Sequence, residues 1–449
     1  MEDLLIENGI IVRSNEMFYG SIAISNEKIT AVYHDGESLP KAKNVIDAKE
    51  FMVFPGMIDT HIHLNEPGIT HHEDIAHGTA AAAIGGITTV IDMPNLSIPP
   101  VYNVESLKKK LECIKNSAVT DVALWASLFP DNFDQLEELY NEGVCAFKSF
   151  MCDPENLLAP NQIEEAMSII KSFGGVAGFR CEDMDILNQL TAEKEAQCLD
   201  SRKDYLETRP VEAELTAVKK LISIAKKTGC TTYICHTSHP MVAHEIQKAR
   251  KEGYPIYGET CPHYFLFSQD DYLQKGGAYK CCPPLRDRKA ATELLDCLVE
   301  GSLQTLGSDH CPVTLEEKDE SKYGYINLHN GMGGCQSMVQ ATFDYMIHQK
   351  HLNPTLLASV FSTNAAKIFG LYGQKGDLLP GFDADVTIID PNEPWEVKQE
   401  ELLYVNRFSA YDGLKGIGCP VITLLRGKVI AMNGEIIGTN SGKYVKRYR

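Results

Sequence analysis

No apolar run in the chain approaches the ~20 residues that a membrane-spanning helix needs, and no basic leader or small-residue cleavage site precedes the acidic start Met1-Glu2-Asp3-Leu4-Leu5. The expectation is therefore a soluble, cytoplasmic protein without a membrane partner. Paired C-x-x-C knuckles are missing as well. The 14 cysteines are scattered, which argues against both a structural zinc site and a disulfide framework and suggests reduced, mostly buried thiols. Positive charge is scarce: 42 Lys and Arg against 61 Asp and Glu give a net charge of -19. Such a field repels nucleic acid and anionic lipid, so the expected partner is a small molecule. No repeat of roughly 20–50 residues or low-complexity tract occurs, which argues against a solenoid.

What is present has the texture of an α/β protein with a second, all-β module. Residues 4–53 read as short alternating strands, among them Leu4-Leu5-Ile6, Gly9-Ile10-Ile11-Val12 and Ser21-Ile22-Ala23-Ile24. From residue 54 to 370, apolar strand runs such as Thr88-Thr89-Val90-Ile91 and Val122-Ala123-Leu124-Trp125 alternate with helical stretches. Repetition of that unit implies a parallel sheet closed into a (β/α)8 TIM barrel. Strand texture returns after residue 371, in Val386-Thr387-Ile388-Ile389 and Val421 to Ile430. Each end segment is too small to bury a face alone. The expected division is thus a barrel over 54–370 and a small β-sandwich from 1–53 plus 371–449.

Chemistry concentrates at predicted strand ends. Asp59-Thr60-His61-Ile62-His63 follows the apolar run Val53 to Ile58. On a strand, residues i and i+2 point the same way, so both imidazoles face the barrel interior at the end where such barrels carry their sites. Two neutral imidazoles aimed at one point suit a borderline-soft cation such as zinc. Lys148 sits within the apolar strand Ala146 to Met151, where a bare ammonium is costly. It is either salt-bridged or deprotonated and able to add carbon dioxide, giving an anionic carbamate. His236 ends the run Tyr233-Ile234-Cys235, and Asp309 ends Leu306-Gly307-Ser308. A single such histidine is more often a satisfied core residue, but four such strand ends together point to a metal centre.

The order of these motifs resembles the amidohydrolase superfamily, in its branch of dihydroorotases, hydantoinases, dihydropyrimidinases and allantoinases, across essentially the whole chain. The resemblance implies divalent metal, Zn2+ by preference, and an N6-carboxylated Lys148. His61, His63, Lys148 and Asp309 match the ligands of one ion, and Lys148 and His236 match ligands of another. Within the branch, Asp59 to Gly68, Gly85 to Thr89, Glu259 to Phe265, Cys282 to Asp287 and Ser308 to Pro312 look like allantoinases. The implied reaction is hydrolysis of a ring amide in a small cyclic ureide, allantoin to allantoate, with Asp309 as the catalytic proton carrier. Asn65 stands where a dihydroorotase has a carboxylate-gripping arginine, whereas Asn95 in Asp92-Met93-Pro94-Asn95 is similar to a dihydroorotase motif. We weight the missing charge more heavily. Asn65, Asn95 and His263 are the expected substrate contacts, and a homotetramer or homodimer is implied by resemblance only.

One position departs from the pattern. Arg180, in Gly178-Phe179-Arg180-Cys181-Glu182, occupies a ligand histidine's place, and a guanidinium cannot ligate a cation. The expectation is one metal ion rather than two, with Arg180 supplying positive charge beside the substrate. A dihydroorotase or hydantoinase-type enzyme on the same scaffold, and a non-catalytic homologue, are the alternatives.

Overall fold

The structure, a computed structural model, describes residues 1–153, 156–438 and 440–448. Strands β1 (Glu2–Val12), β2 (Met17–Ser25), β3 (Lys28–His34), β4 (Ala42–Asp47) and β5 (Met52–Pro55) come first. The segments Leu4-Leu5-Ile6 and Gly9 to Val12, expected as separate strands, are one strand in two parts. The register against β2 slips between Ile6 and Gly9, with Asn8 at φ 62°, as a bulge absorbs an extra residue and keeps pairing on both sides.

The barrel follows: β6 (Met57–Ile62), β7 (Ile87–Asp92), β8 (Asp121–Ser127), β9 (Ala146–Phe150), β10 (Val176–Arg180), β11 (Thr231–Ile234), β12 (Ile256–Thr260) and β13 (Thr305–Leu306). They pair in parallel and in chain order. The His63 amide donates to the His310 carbonyl at 2.9 Å and Ile62 bridges His310, which joins the first strand to the last and closes the cylinder. Every residue of β6, β7 and β8 is buried, as expected of strands covered on both faces. Trp125, Tyr233 and Phe369 fill the interior, their ring centroids 4.9–5.7 Å apart. The space they leave is tight: a Cβ at Gly178 would lie 2.3 Å from the Trp125 ring.

Strands β14 (Val386–Glu396), β15 (Lys415–Leu425), β16 (Lys428–Met432) and β17 (Glu435–Ile436) complete the second layer. The expected run from Val421 to Ile430 is a hairpin, turned at Arg426 and Gly427, which have φ 49° and 74°. β14 pairs antiparallel with β5, from Val386 opposite Pro55 to Ile389 opposite Met52. The two end segments therefore share one nine-stranded sheet around a core that mixes Leu4, Ile6, Ile22 and Val53 with Val386, Ile388 and Leu424. This is the expected β-sandwich. Residues 440–448 then leave it and run beneath the barrel, where Tyr444 bridges Val122.

Candidate active site

At the carboxyl ends of the barrel strands lies a cavity of about 200 Å3 lined by His61, His63, Asn95, Lys148, Arg180, His236, Asp309 and neighbours. His61 Nε2 is 3.2 Å and His63 Nε2 3.3 Å from the same oxygen, Asp309 Oδ1. The His61 and His236 rings are 5.3 Å apart, as are those of His61 and His63. His236 and Asp309 adopt φ 36° and 46°, a left-handed conformation costly for residues with side chains that persists where packing enforces it.

The charge states suit ligation. Burial, helped by the neighbouring Lys148, pushes the His236 imidazole well below its ordinary value, so it is neutral. Burial also lowers His61, against the pull of Glu259 and Asp309. For Asp309, burial works upward but His61, His63 and His236 outweigh it and hold the carboxyl well below the usual range.

Several buried polar atoms at this mouth have no hydrogen-bond partner among the described residues: Lys148 Nζ, His63 Nδ1, His236 Nδ1 and Asn95 Oδ1. The Cys235 thiol is beside Lys148, and the Phe150 ring centroid is 5.3 Å from Nζ. Leaving a buried polar group unpaired costs about 1–3 kcal/mol, and more if it is charged, so the cluster fits an added group that pairs with it. The converged His61, His63 and Asp309 donors are a two-imidazole, one-carboxylate set, a chemistry suited to a divalent cation.

Other expected residues are placed less directly. Asn65 is buried at φ 51° with both amide atoms unpartnered among the described residues, yet it does not line the cavity. His263 is buried, outside the cavity lining, with Nε2 unpartnered among the described residues. Arg180 does line the cavity and is tied down: Nη2 is 2.8 Å from Glu182 Oε2 and also meets Cys282 Sγ. Arg209 reaches the other oxygen of Glu182 at 2.8 Å. Burial raises the Glu182 carboxyl, but Arg209 and Arg180 prevail and keep it ionised.

Two supporting groups escaped sequence reasoning. Glu259 on β12 accepts from His61 Nδ1 at 2.8 Å, from the His236 amide at 3.0 Å and from Tyr233 Oη at 2.9 Å. The contact orients His61 with Nε2 toward the cavity, as carboxylate partners of ligating histidines do. The second group is His310, which accepts from the Gly334 amide through Nδ1 at 3.1 Å and so donates from Nε2 to Glu73, 3.0 Å away. A buried glutamate ending an apolar strand was the available signal for Glu259. His310 offered none beyond its place next to Asp309.

Residues 52–175 and 207–430 match the amidohydrolase family. The chain belongs to that family. It is 35% identical to an allantoinase of Salmonella choleraesuis (strain SC-B67) and to one of Salmonella newport (strain SL254), over 437 residues and 95% of each chain. In three dimensions this amidohydrolase superposes on an L-hydantoinase (dihydropyrimidinase) from Arthrobacter aurescens with TM-score 0.96, 28% identity and full coverage of both chains. A D-hydantoinase from Thermus sp. gives 0.92, 26% and 99% of each. The family and these neighbours identify a cyclic amidohydrolase, and the His61, His63 and Asp309 group supports a divalent metal. No helix among the described residues is long and apolar enough to cross a membrane.

Proposed function

We propose that this amidohydrolase opens the ring of a small cyclic ureide, allantoin to allantoate, by hydrolysing one amide C–N bond. The observation that carries the reading is the meeting, in one cavity, of His61, His63 and Asp309 with a Lys148 amine that is unpartnered among the described residues. Allantoinase relatives matching 95% of the chain favour this ring over others.

His61, His63 and Asp309 would hold one zinc ion, with a carbamate on Lys148 as a further anionic ligand. When bound, the cation supplies Lewis acidity, which acidifies water and polarises a carbonyl. The protein's own groups do the rest. Glu259 keeps His61 in the tautomer whose lone pair faces the cavity. Asp309 takes the proton released as water adds to the ring carbonyl and returns it to the departing nitrogen. Arg180 sets a fixed positive charge on the wall where the carbonyl oxygen gains negative charge. Asn95, whose amide oxygen is unpaired, accepts from a ring N–H, and Asn65 and His263 shape the wall behind it.

The overlay with hydantoinases at TM-score 0.96 favours a hydantoin or dihydropyrimidine ring as a second reading. Steady-state turnover of allantoin, hydantoin, dihydrouracil and dihydroorotate, alongside metal analysis, separates them. A kcat/KM for allantoin that leads the other rings by tenfold or more is the expected result. Turnover of another ring alone overturns the assignment, and absence of turnover with little bound metal identifies a non-catalytic homologue. One metal held in the cavity fits Arg180 in place of a ligand, two held there contradict it, and the oligomer expected is a dimer or tetramer.

A further inference from the structure

A second group of metal-competent side chains lies outside the cavity, on two loops that border it. The ligand atoms of His71, His72 and Glu317 all fall within 4.8 Å of one another. His72 Nε2 is 2.8 Å from one Glu317 oxygen and 2.9 Å from the other. His329 Nδ1 approaches the same carboxylate at 3.7 Å. The His71 and His72 rings meet edge to face at 4.4 Å.

The donors are held from behind. The Thr314 amide and hydroxyl both donate to Glu317 Oε2 at 2.8 Å, which anchors the carboxylate. Asn406 Nδ2 donates to the His71 and His72 carbonyls at 2.8 and 2.7 Å, which fixes the backbone of both histidines. A hydrogen bond from His72 to Glu317 would need only one imidazole. Two more converge here, and the His71 side chain has no hydrogen bond of its own among the described residues.

From these contacts we infer that His71, His72, Glu317 and His329 form a second divalent-metal site, suited to zinc. Three imidazoles and a carboxylate make a tetrahedral set, and bonds of ~2.1 Å place neighbouring ligand atoms about 3.4 Å apart. The donor atoms of His71, His72 and Glu317, within 4.8 Å of one another, need to close by up to ~1.4 Å, and His329, 3.7 Å from Glu317, has to swing in to complete the set, movements open to the exposed His71 and His329. Residues 312–329 run between Cys311 and Asn330, both of which line the cavity. A cation here pins that stretch against the loop that follows β6 and steadies one wall of the pocket.

The test is equilibrium dialysis against zinc followed by metal analysis, with the His71→Ala/His329→Ala double variant beside the unaltered protein. Both side chains are exposed, so folding survives, and the residues lining the cavity are untouched. The double variant should hold one zinc fewer per chain. Glu317→Gln should lose the same equivalent, and zinc should slow proteolysis within 312–329 several-fold in the unaltered protein alone. Equal zinc content in all three proteins overturns the site.

Discussion

The two ends of the barrel treat a buried lysine in opposite ways. At the carboxyl ends of the strands, Lys148 lies buried with no hydrogen-bond partner among the described residues. At the amino ends, Lys375 is equally buried, but its amine is 2.6 Å from Asp121, 2.6 Å from Asp385 and 2.9 Å from Asp383. Burial lowers the Lys375 ammonium, yet Asp385, Asp121 and Asp383 together hold it well above the usual lysine range. Arg426 adds a further contact to Asp121. The lower cluster joins β8 to the segment entering β14 and so fastens the barrel to the sandwich. A satisfied ion cluster holds structure together, whereas an unsatisfied one keeps its bonding capacity for a ligand.

Exchanging the two lysines' fates tests this contrast most strongly. Lys148→Ala should reduce turnover by at least ~10^3-fold, as loss of a metal-supporting group does, while leaving the unfolding midpoint in urea unchanged or higher. Recovery of activity with added short carboxylic acids would identify the missing group as a carbamate, and undiminished turnover would remove Lys148 from the site. At the other end, Lys375→Met leaves buried carboxylates unpaired and should cost about 3–5 kcal/mol in chemical unfolding. Activity per folded molecule should persist, and a loss of activity with stability intact would erase the distinction between the two ends.

A third measurement turns on pH. Burial brings the His263 imidazole down to about 4 from 6.5. Between those values the unfolded chain binds a proton that the folded chain refuses. The stability contributed by the neutral ring is therefore complete above pH ~6.5 and lost as pH falls toward 4, up to about 3 kcal/mol. Urea unfolding at several pH values should show a shallower acid dependence for His263→Asn; parallel curves would mean the ring is not held neutral. The smallest effect is expected at Glu259→Gln, which should weaken metal affinity by about 10–100-fold, the usual cost of losing a ligand's carboxylate partner. Unaltered affinity by competition with a chelator would show that His61 needs no such support.

Much of the site was legible because strand geometry is local. His61 and His63 share a face by alternation alone, and His236 and Asp309 follow short apolar runs that read as strands, which end at Ile234 and Leu306. Barrel and sandwich followed from the same alternation. Glu259 and His310 were less legible, because their roles depend on closure. Glu259 meets His61 across a separation of 198 residues, and His310 meets Glu73 only once β13 lies beside β6. Arg180 stood out in the sequence as an odd residue, but its partner across the turn, Glu182, became evident only from the geometry. The break at Glu7-Asn8 reads equally as a gap between two strands or a bulge within one, and the turn at Arg426-Gly427 was read through as a single run, because only the register of the pairing strands separates these cases.

The shared sheet has a consequence for how the chain is made. Strand β5 finds its neighbour β14 only after the whole barrel has been translated, roughly 20–60 s later at ordinary ribosomal speeds. Until then the N-terminal strands present an open hydrogen-bonding edge to the crowded cell, the kind of surface that recruits other strands. Nascent chains stalled before residue 386 should therefore bind holdase chaperones, and that demand should end once β14 has emerged.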